Sequence, residues 1–115
     1  MNYRTELIND ILEALHYGQV VQFTYCGHIY AFESLRRTGD DFHTLGLYHQ
    51  VPNEPISRLV FKDKISFTGT STDYPIKFED NYPIAEIRKI LEHEKVFDGK
   101  NLFAVLDEIS DVDIQ

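Results

Sequence analysis

The sequence lacks tryptophan and has a single cysteine, Cys26, among its 115 residues. One cysteine cannot form an internal disulfide, and its presence without a partner is typical of a reducing compartment. Zinc sites built from paired cysteines are excluded for the same reason. Without tryptophan, the eight phenylalanines and seven tyrosines must supply the aromatic part of the core.

Basic residues are also scarce, since 11 Lys and Arg stand against 19 Asp and Glu and give a net charge of −8. A protein that binds a nucleic-acid backbone or an anionic membrane needs a basic surface. We therefore expect no direct nucleic-acid binding and no membrane association. The charge permits a basic protein partner, including a nucleic-acid-binding protein, because opposite charges steer association. Taken alone, the charge favours a small domain that is simply kept soluble, because the acidic residues are spread along most of the chain.

Long apolar runs are missing as well. No stretch approaches the length of a membrane span, and no apolar run follows a basic segment at the N-terminus, so we expect no signal peptide. Together with the lone cysteine, this predicts a soluble cytoplasmic protein. The length predicts one domain spanning residues 1–115.

Sequence motifs for catalysis and cofactor binding are absent. There is no P-loop and no G-x-G-x-x-G, and the five histidines show neither H-x-x-H nor H-E-x-x-H spacing. No pair of carboxylates is placed as an acid and a base. The sequence therefore predicts no enzyme, no cofactor and no metal site. A zinc site would have to be assembled from distant positions, with His43 or His49 approaching His28 across a sheet.

The stretch from Gln19 to Leu35 predicts a β-hairpin. Two β-branched and aromatic runs flank Cys26-Gly27, and glycine at the second turn position accepts the positive φ of a tight hairpin. Side chains alternate along a strand, so this turn places six residues on one face, which we expect to cover the core. The opposed pairs are Tyr25 with His28, Phe23 with Tyr30, and Val21 with Phe32.

The rest of the chain predicts helices around a set of strands. Leu and Ile at helical spacing indicate a helix over residues 3–17 that ends at Gly18. Strands are expected over residues 42–48, 57–61, 65–68 and 74–78. A helix follows from about Pro83 to Glu94, and a second one from an Asp98 N-cap to about Ser110, after which the tail adds a strand or frays. The prediction is an α+β fold with an N-terminal helix, an antiparallel β-meander of about four to five strands, and two C-terminal helices.

Two groups of residues are candidates for binding. From Asn101 onward the chain has no Lys or Arg, and its acidic side chains would dock a basic groove or mimic a phosphate backbone. These partner-binding candidates are Asp107, Glu108, Asp111 and Asp113, and their alternative role is a solvated surface. The second group is an aromatic and histidine face suited to a small ligand, made of Tyr25, His28, Tyr30 and His43.

Two segments carry a resemblance to other proteins. They are ILEALHYGQVVQFTYCGHIYAF, with its F-x-Y-x-G-x-x-Y pattern, and VFDGKNLFAVLDEI, and together they cover about a third of the chain. In both, the sequence resembles small uncharacterised proteins of low-GC Gram-positive bacteria and their phages. The resemblance implies a mobile-element or accessory protein and supplies no functional residues.

These observations lead to three functional hypotheses. The first is a non-catalytic protein-binding module that acts through an acidic surface, such as a phage-type inhibitor of a host defence enzyme, for example an anti-CRISPR. The second is a small ligand-binding or enzymatic domain that uses the aromatic and histidine face. The third is a structural homodimer formed by edge-strand pairing or by an apolar face.

Overall fold

The computed structural model describes residues 3–35, 42–66 and 84–115. These ranges contain helix α1 (Tyr3–His16), strands β1 (Val21–Tyr25), β2 (His28–Leu35), β3 (Phe42–Gln50) and β4 (Ser57–Ser66), helix α2 (Ile84–His93), a 3-10 turn (Leu102–Val105) and strand β5 (Ile109–Ile114). The strands of the described ranges form one five-stranded antiparallel sheet in the order β4-β3-β2-β1-β5. The predicted α+β class is confirmed. The strand predicted over residues 74–78 lies outside the described residues.

The hairpin at the centre of the sheet has the predicted register. Tyr25 pairs with His28, and the two strands continue in step to Val21 and Phe32. Cys26 has φ 51° and Gly27 has φ 79°, as a two-residue turn of the mirror-image type requires at both positions. This turn twists in the same sense as the strands, and it therefore fixes which side chains reach the core.

Helix α1 confirms the predicted N-terminal helix and ends where Gly18 allows it to end. Gly18 has φ 77°, its amide donates to the carbonyl of Leu15 at 3.1 Å, and the Gln19 amide donates to the carbonyl of Ala14 at 2.9 Å. This pair of hydrogen bonds satisfies carbonyls that the helix end would otherwise leave without donors. Within the described ranges, no helix has the length and apolar character needed to cross a membrane.

The core lies between one face of the sheet and the helices. The apolar face of α1, the inward side chains of β1 to β4, the apolar face of α2 and the 3-10 turn form one buried cluster. Phenylalanine dominates its centre, since Phe23, Phe32 and Phe97 are all at most 1% exposed. The Phe23 ring centroid lies 5.9 Å from that of Phe32 and 5.8 Å from that of Phe97. The hairpin face predicted to cover the core does so.

The prediction of two C-terminal helices is wrong for the second helix. Residues 102–105 form only a 3-10 turn, and Ile109–Ile114 forms β5, which pairs with β1. Asp98 is not a helix cap, because Asp98 and Gly99 have φ 56° and 77° and form a tight turn between Phe97 and Lys100. The cap is Asn101, whose side-chain oxygen accepts from the Ala104 amide.

The apolar pattern led to a wrong helix prediction because the predicted helix and the observed turn and strand bury the same residues. The stripe at helical spacing is fully buried, and it consists of Leu102, Val105, Leu106 and Ile109. The first three belong to the 3-10 turn and the residue that follows it, whereas Ile109 opens a strand. Isoleucine and valine are abundant in that strand, and β-branched side chains favour a pleated sheet.

The middle of the sheet differs from prediction in two boundaries. Residues 57–61 and 65–68 were expected as two strands, but Ser57–Ser66 is one strand paired along β3. Strand β3 also runs to Gln50, so His49 lies in a strand rather than in the following loop. A register shift between Leu47 and Tyr48 absorbs the extra residue in this pair of strands.

Candidate functional site

The acidic side chains predicted as a partner surface lie along one edge of the sheet. Asp107 and Glu108 occupy the turn before β5, and Asp111 and Asp113 lie on β5, which ends the strand order. All four are exposed. We call these four residues the acidic edge. The structure therefore gathers the predicted residues on a strand edge rather than on a helix followed by a tail.

The backbone of β5 presents hydrogen-bonding groups away from the sheet. Val20 and Gln115 exchange both of their hydrogen bonds, at 3.2 and 2.9 Å. Because such pairs alternate in an antiparallel ladder, Asp113 pairs in the same way with Gln22, while the amide and carbonyl of Ile114 point away from β1. A partner strand or a polar groove would meet these groups together with the acidic side chains.

A bulge interrupts this edge at Asp111. The register shifts between Gln22 and Thr24, so that Asp111 and Val112 stand opposite the single residue Phe23, and Asp111 has φ 53°. Bulges and charges on an edge strand both oppose unspecific pairing with other strands. The bulge and the charges therefore restrict which strands can pair with the acidic edge.

Asp107 is partly neutralised within the chain. Arg4 Nη1 donates to Asp107 Oδ2 at 2.5 Å, and Arg4 Nη2 donates to the carbonyl oxygen of Phe103. The Asp107 side chain nevertheless remains 63% exposed, so this ion pair adds little stability. Its main effect is to tie the turn before β5 to the start of α1.

The second candidate group lies at the end of the sheet that carries the β1–β2 turn. His28 Nδ1 and His49 Nε2 are 2.9 Å apart, and the ring of Tyr30 stacks on that of His49 with centroids 4.9 Å apart. Tyr25 stands opposite His28 on β1. We call these four residues, Tyr25, His28, Tyr30 and His49, the tyrosine–histidine cluster.

Of the predicted ligand-binding residues, the structure brings three together and leaves one apart. His43 pairs with Ile65 near the opposite end of β3, six residues before His49. At about 3.3 Å per residue, this separates the two backbones by about 20 Å. His49 takes the place expected for His43, and the run of strand-forming residues that ends at Tyr48 gave no signal that β3 continues through His49.

The two tyrosines of the cluster stay protonated well above neutral pH. Tyr25 Oη donates to Asp98 Oδ2 at 2.9 Å, and this hydrogen bond, followed by burial, raises the pKa of Tyr25. Burial, followed by the charge of Asp98, raises the pKa of Tyr30. Neither phenol therefore acts as a base near neutral pH, and the Tyr25 hydroxyl serves as a hydrogen-bond donor.

Sequence reasoning missed a pair of carboxyl groups between β4 and the end of α2. A hydrogen bond to the Asp63 side chain, followed by burial and by the charge of Asp63, raises the pKa of Glu94. Asp63 Oδ2 is buried, and within the described part of the chain it has no hydrogen-bond partner. A carboxyl that lies beside another carboxyl ionises less freely, so Glu94 holds its proton more readily than an isolated glutamate does.

Replacing Glu94 with glutamine is expected to stabilise the protein at pH 7 by less than about 1 kcal/mol, because it removes repulsion between two carboxylates. A raised pKa in the folded state means that the contribution of Glu94 is fully present below its ordinary value of 4.5 and is lost as pH rises through the raised value. The gain from Glu94→Gln should therefore disappear near pH 4. Urea unfolding at both pH values measures this, and Glu92→Gln, an exposed site on α2, is the control. An equal gain at both pH values would contradict the raised pKa of Glu94.

Comparisons with known proteins assign no family. No known protein family, curated protein or solved structure matches this chain. Among residues 3–35, 42–66 and 84–115, no group of three or more His, Cys, Asp and Glu side chains is placed to hold a metal ion. Function is therefore inferred from the acidic edge and the tyrosine–histidine cluster.

Proposed function

We propose that the chain is a non-catalytic protein-binding module that docks a basic protein surface through the acidic edge. The observation that carries the proposal is the exposure of four carboxylates on and beside β5, which is the outermost strand on its side of the sheet among the described residues. The outward amide and carbonyl groups of β5 face away from β1. Complementary charge speeds association and fixes orientation, while backbone pairing adds affinity.

A partner that binds nucleic acid fits this edge best. The basic groove of such a partner accepts the successive phosphates of a nucleic-acid strand. The carboxylates of the acidic edge form a comparable row of negative charges. In its most specific form, the proposal is a phage-type or mobile-element inhibitor of a host defence enzyme, such as an anti-CRISPR. The free, exposed Cys26 is in keeping with a reducing compartment such as the cytoplasm.

The same charges disfavour a homodimer formed by pairing β5 with its copy. Antiparallel pairing of two acidic edges would bring Asp111 and Asp113 of each copy close to those of the other. Like charges directly opposite each other destabilise a strand pair. A basic partner is therefore favoured over self-association at this edge.

The test compares partner capture by two variants of equal net charge. One neutralises the acidic edge with Asp107→Asn, Glu108→Gln, Asp111→Asn and Asp113→Asn. The other neutralises exposed acids elsewhere with Glu6→Gln, Asp10→Asn, Glu13→Gln and Glu92→Gln. Asparagine tolerates the left-handed backbone of residue 111, so the bulge is kept. Capture from nuclease-treated host lysate identifies the partner, and binding is then measured with that partner purified.

We expect the edge variant to bind the purified partner about tenfold or more weakly, and the control variant to bind like the wild type. The loss should shrink as salt is added, because screening weakens contacts between exposed charges. Equal losses in both variants would show that only the overall charge matters. Unchanged binding by the edge variant would remove the acidic edge from the interface.

The second candidate function is ligand binding at the tyrosine–histidine cluster. The observation that favours it is the direct contact of two imidazoles beside a stacked tyrosine, at the end of the sheet. Stacked rings and imidazole nitrogens offer few but well-directed polar contacts.

A further inference from the structure

Two imidazole rings are in direct contact in the tyrosine–histidine cluster, and imidazole nitrogens are common metal ligands in proteins. His28 Nδ1 on β2 and His49 Nε2 on β3 are 2.9 Å apart. We propose that these two imidazoles form a chelate for a divalent first-row transition-metal ion, with Ni²⁺ and Cu²⁺ as the best-suited ions. The proposal is independent of the acidic edge, so the two can fail separately.

The separation of the nitrogens permits a chelate once the rings turn their lone pairs toward one ion. Imidazole nitrogens bind such ions at about 2.0–2.1 Å, so two nitrogens on one ion lie about 2.9–3.4 Å apart, from right-angled to tetrahedral coordination. The 2.9 Å between His28 Nδ1 and His49 Nε2 is the length of the hydrogen bond that joins the rings in the metal-free state, and an ion would replace that hydrogen bond. Imidazole ligands suit Ni²⁺ and Cu²⁺, which stand high in the general order of affinity of divalent first-row ions.

Both nitrogens can present a lone pair without loss of a proton from the protein. In the metal-free state one imidazole donates a hydrogen bond to the other across this contact. When each neutral ring carries its proton on its other nitrogen, His28 Nδ1 and His49 Nε2 are both free to bind.

The His49 ring is held in place before the ion arrives. His49 is stacked on Tyr30, and the Tyr30 ring meets the buried Phe97 ring edge-on, with centroids 5.3 Å apart. The strand pairing of Tyr30 with His49 fixes the backbones as well. A site whose ligands are already ordered loses little conformational entropy on binding.

The charges around the pair permit a cation. Arg58 pairs with His49 across β3 and β4, but its guanidinium is engaged by Glu54, with Arg58 Nη2 3.3 Å from Glu54 Oε2. The carboxylate of Asp98 acts on the neighbouring Tyr30 phenol. The net charge of −8 favours the approach of cations to the molecule as a whole. With two protein ligands, water completes the coordination shell.

Nickel titration of the full chain tests the proposal, since Ni²⁺ does not oxidise the exposed Cys26 thiol. Calorimetry with Ni²⁺ alone should give one ion per chain, and paramagnetic broadening in the amide spectrum should be confined to residues around His28 and His49. Removal of either ring by His28→Gln or His49→Gln should weaken binding about 100-fold, because the second imidazole binds as an intramolecular ligand. The control His93→Gln, on the exposed last turn of α2, should bind like the wild type.

Several outcomes would overturn the proposal. Nickel affinity that is unchanged in His28→Gln and His49→Gln would place the ion elsewhere, as would an equal loss in His93→Gln. The acidic-edge variant should bind Ni²⁺ as the wild type does, and the amide spectrum of each variant verifies that it is folded.

Discussion

Replacing Phe97 with alanine is expected to lower the free energy of unfolding by about 3–5 kcal/mol. Phe97 is 1% exposed, and its ring packs against those of Phe23, Tyr25 and Tyr30 with centroids 5.8, 5.5 and 5.3 Å away. The substitution removes the buried ring and leaves a cavity that the surrounding strands cannot fully close. A domain of this size has a total stability of about 5–15 kcal/mol, so the loss is a large share of it.

Urea unfolding of the variant measures this loss, and Phe103→Ala is the matched control. Phe103 is only partly buried, and one face of its ring lies 5.7 Å from the guanidinium carbon of Arg88. We expect its removal to cost about 1–2 kcal/mol, because less apolar surface is withdrawn from water. Phe97→Leu should fall between the two, since it keeps most of the volume and loses the ring contacts. Equal losses for Phe97→Ala and Phe103→Ala would contradict the central place of Phe97.

The position of Phe97 also connects the core to the tyrosine–histidine cluster. Its ring supports Tyr30, and Tyr30 in turn stacks on His49. In Phe97→Leu, which should remain folded, the His49 ring loses part of its support. The cluster is thus an extension of the aromatic core to the surface, which explains how an exposed pair of imidazoles is held in one geometry.

The N-terminal half of the fold was predictable because its determinants are local. The turn Cys26-Gly27 fixes the register of β1 on β2, and Gly18 fixes the end of α1. Each of these signals lies within a few residues of the structure it controls, so a pattern of spacing is sufficient to read it.

The C-terminal third was not predictable in the same way, because its structure depends on a distant strand. Ile109–Ile114 becomes a strand by pairing with Val21–Tyr25, about 90 residues earlier in the chain. The apolar spacing of Leu102 to Ile109 agrees with a helix and with the turn and strand that actually form. Tertiary pairing decides between such alternatives, and no local signal reports it.

The two candidate sites show the same difference between local and distant determinants. The acidic edge was predicted from composition alone, but its location on an edge strand needed the sheet order. His28 and His49 are 21 residues apart, and their contact depends on β3 lying beside β2 and on β3 reaching Gln50. The predicted strand ended one residue too early to include His49, so the sequence placed that histidine in a loop.

Replacing Asp113 with proline is expected to lower the free energy of unfolding by about 2–4 kcal/mol. The Asp113 amide donates to β1 in the register with Gln22, and proline would remove that donor and leave the Gln22 carbonyl without its partner. Ile114→Pro should cost less than about 1 kcal/mol, because the Ile114 amide points to the open edge, where proline is tolerated. Asp113→Asn controls for the loss of charge.

The contrast between neighbouring residues makes this a test of the edge as well as of the strand. In a helix, the two prolines would fall in the same turn and cost about the same, whereas a strand distinguishes the amide that faces β1 from the one that faces solvent. Unfolding in urea reports the cost of each. Equal losses at residues 113 and 114 would contradict the orientation of β5. If the proposed partner pairs with β5, Ile114→Pro should also weaken its binding while leaving the fold intact, because the amide that it removes is the one offered to the partner.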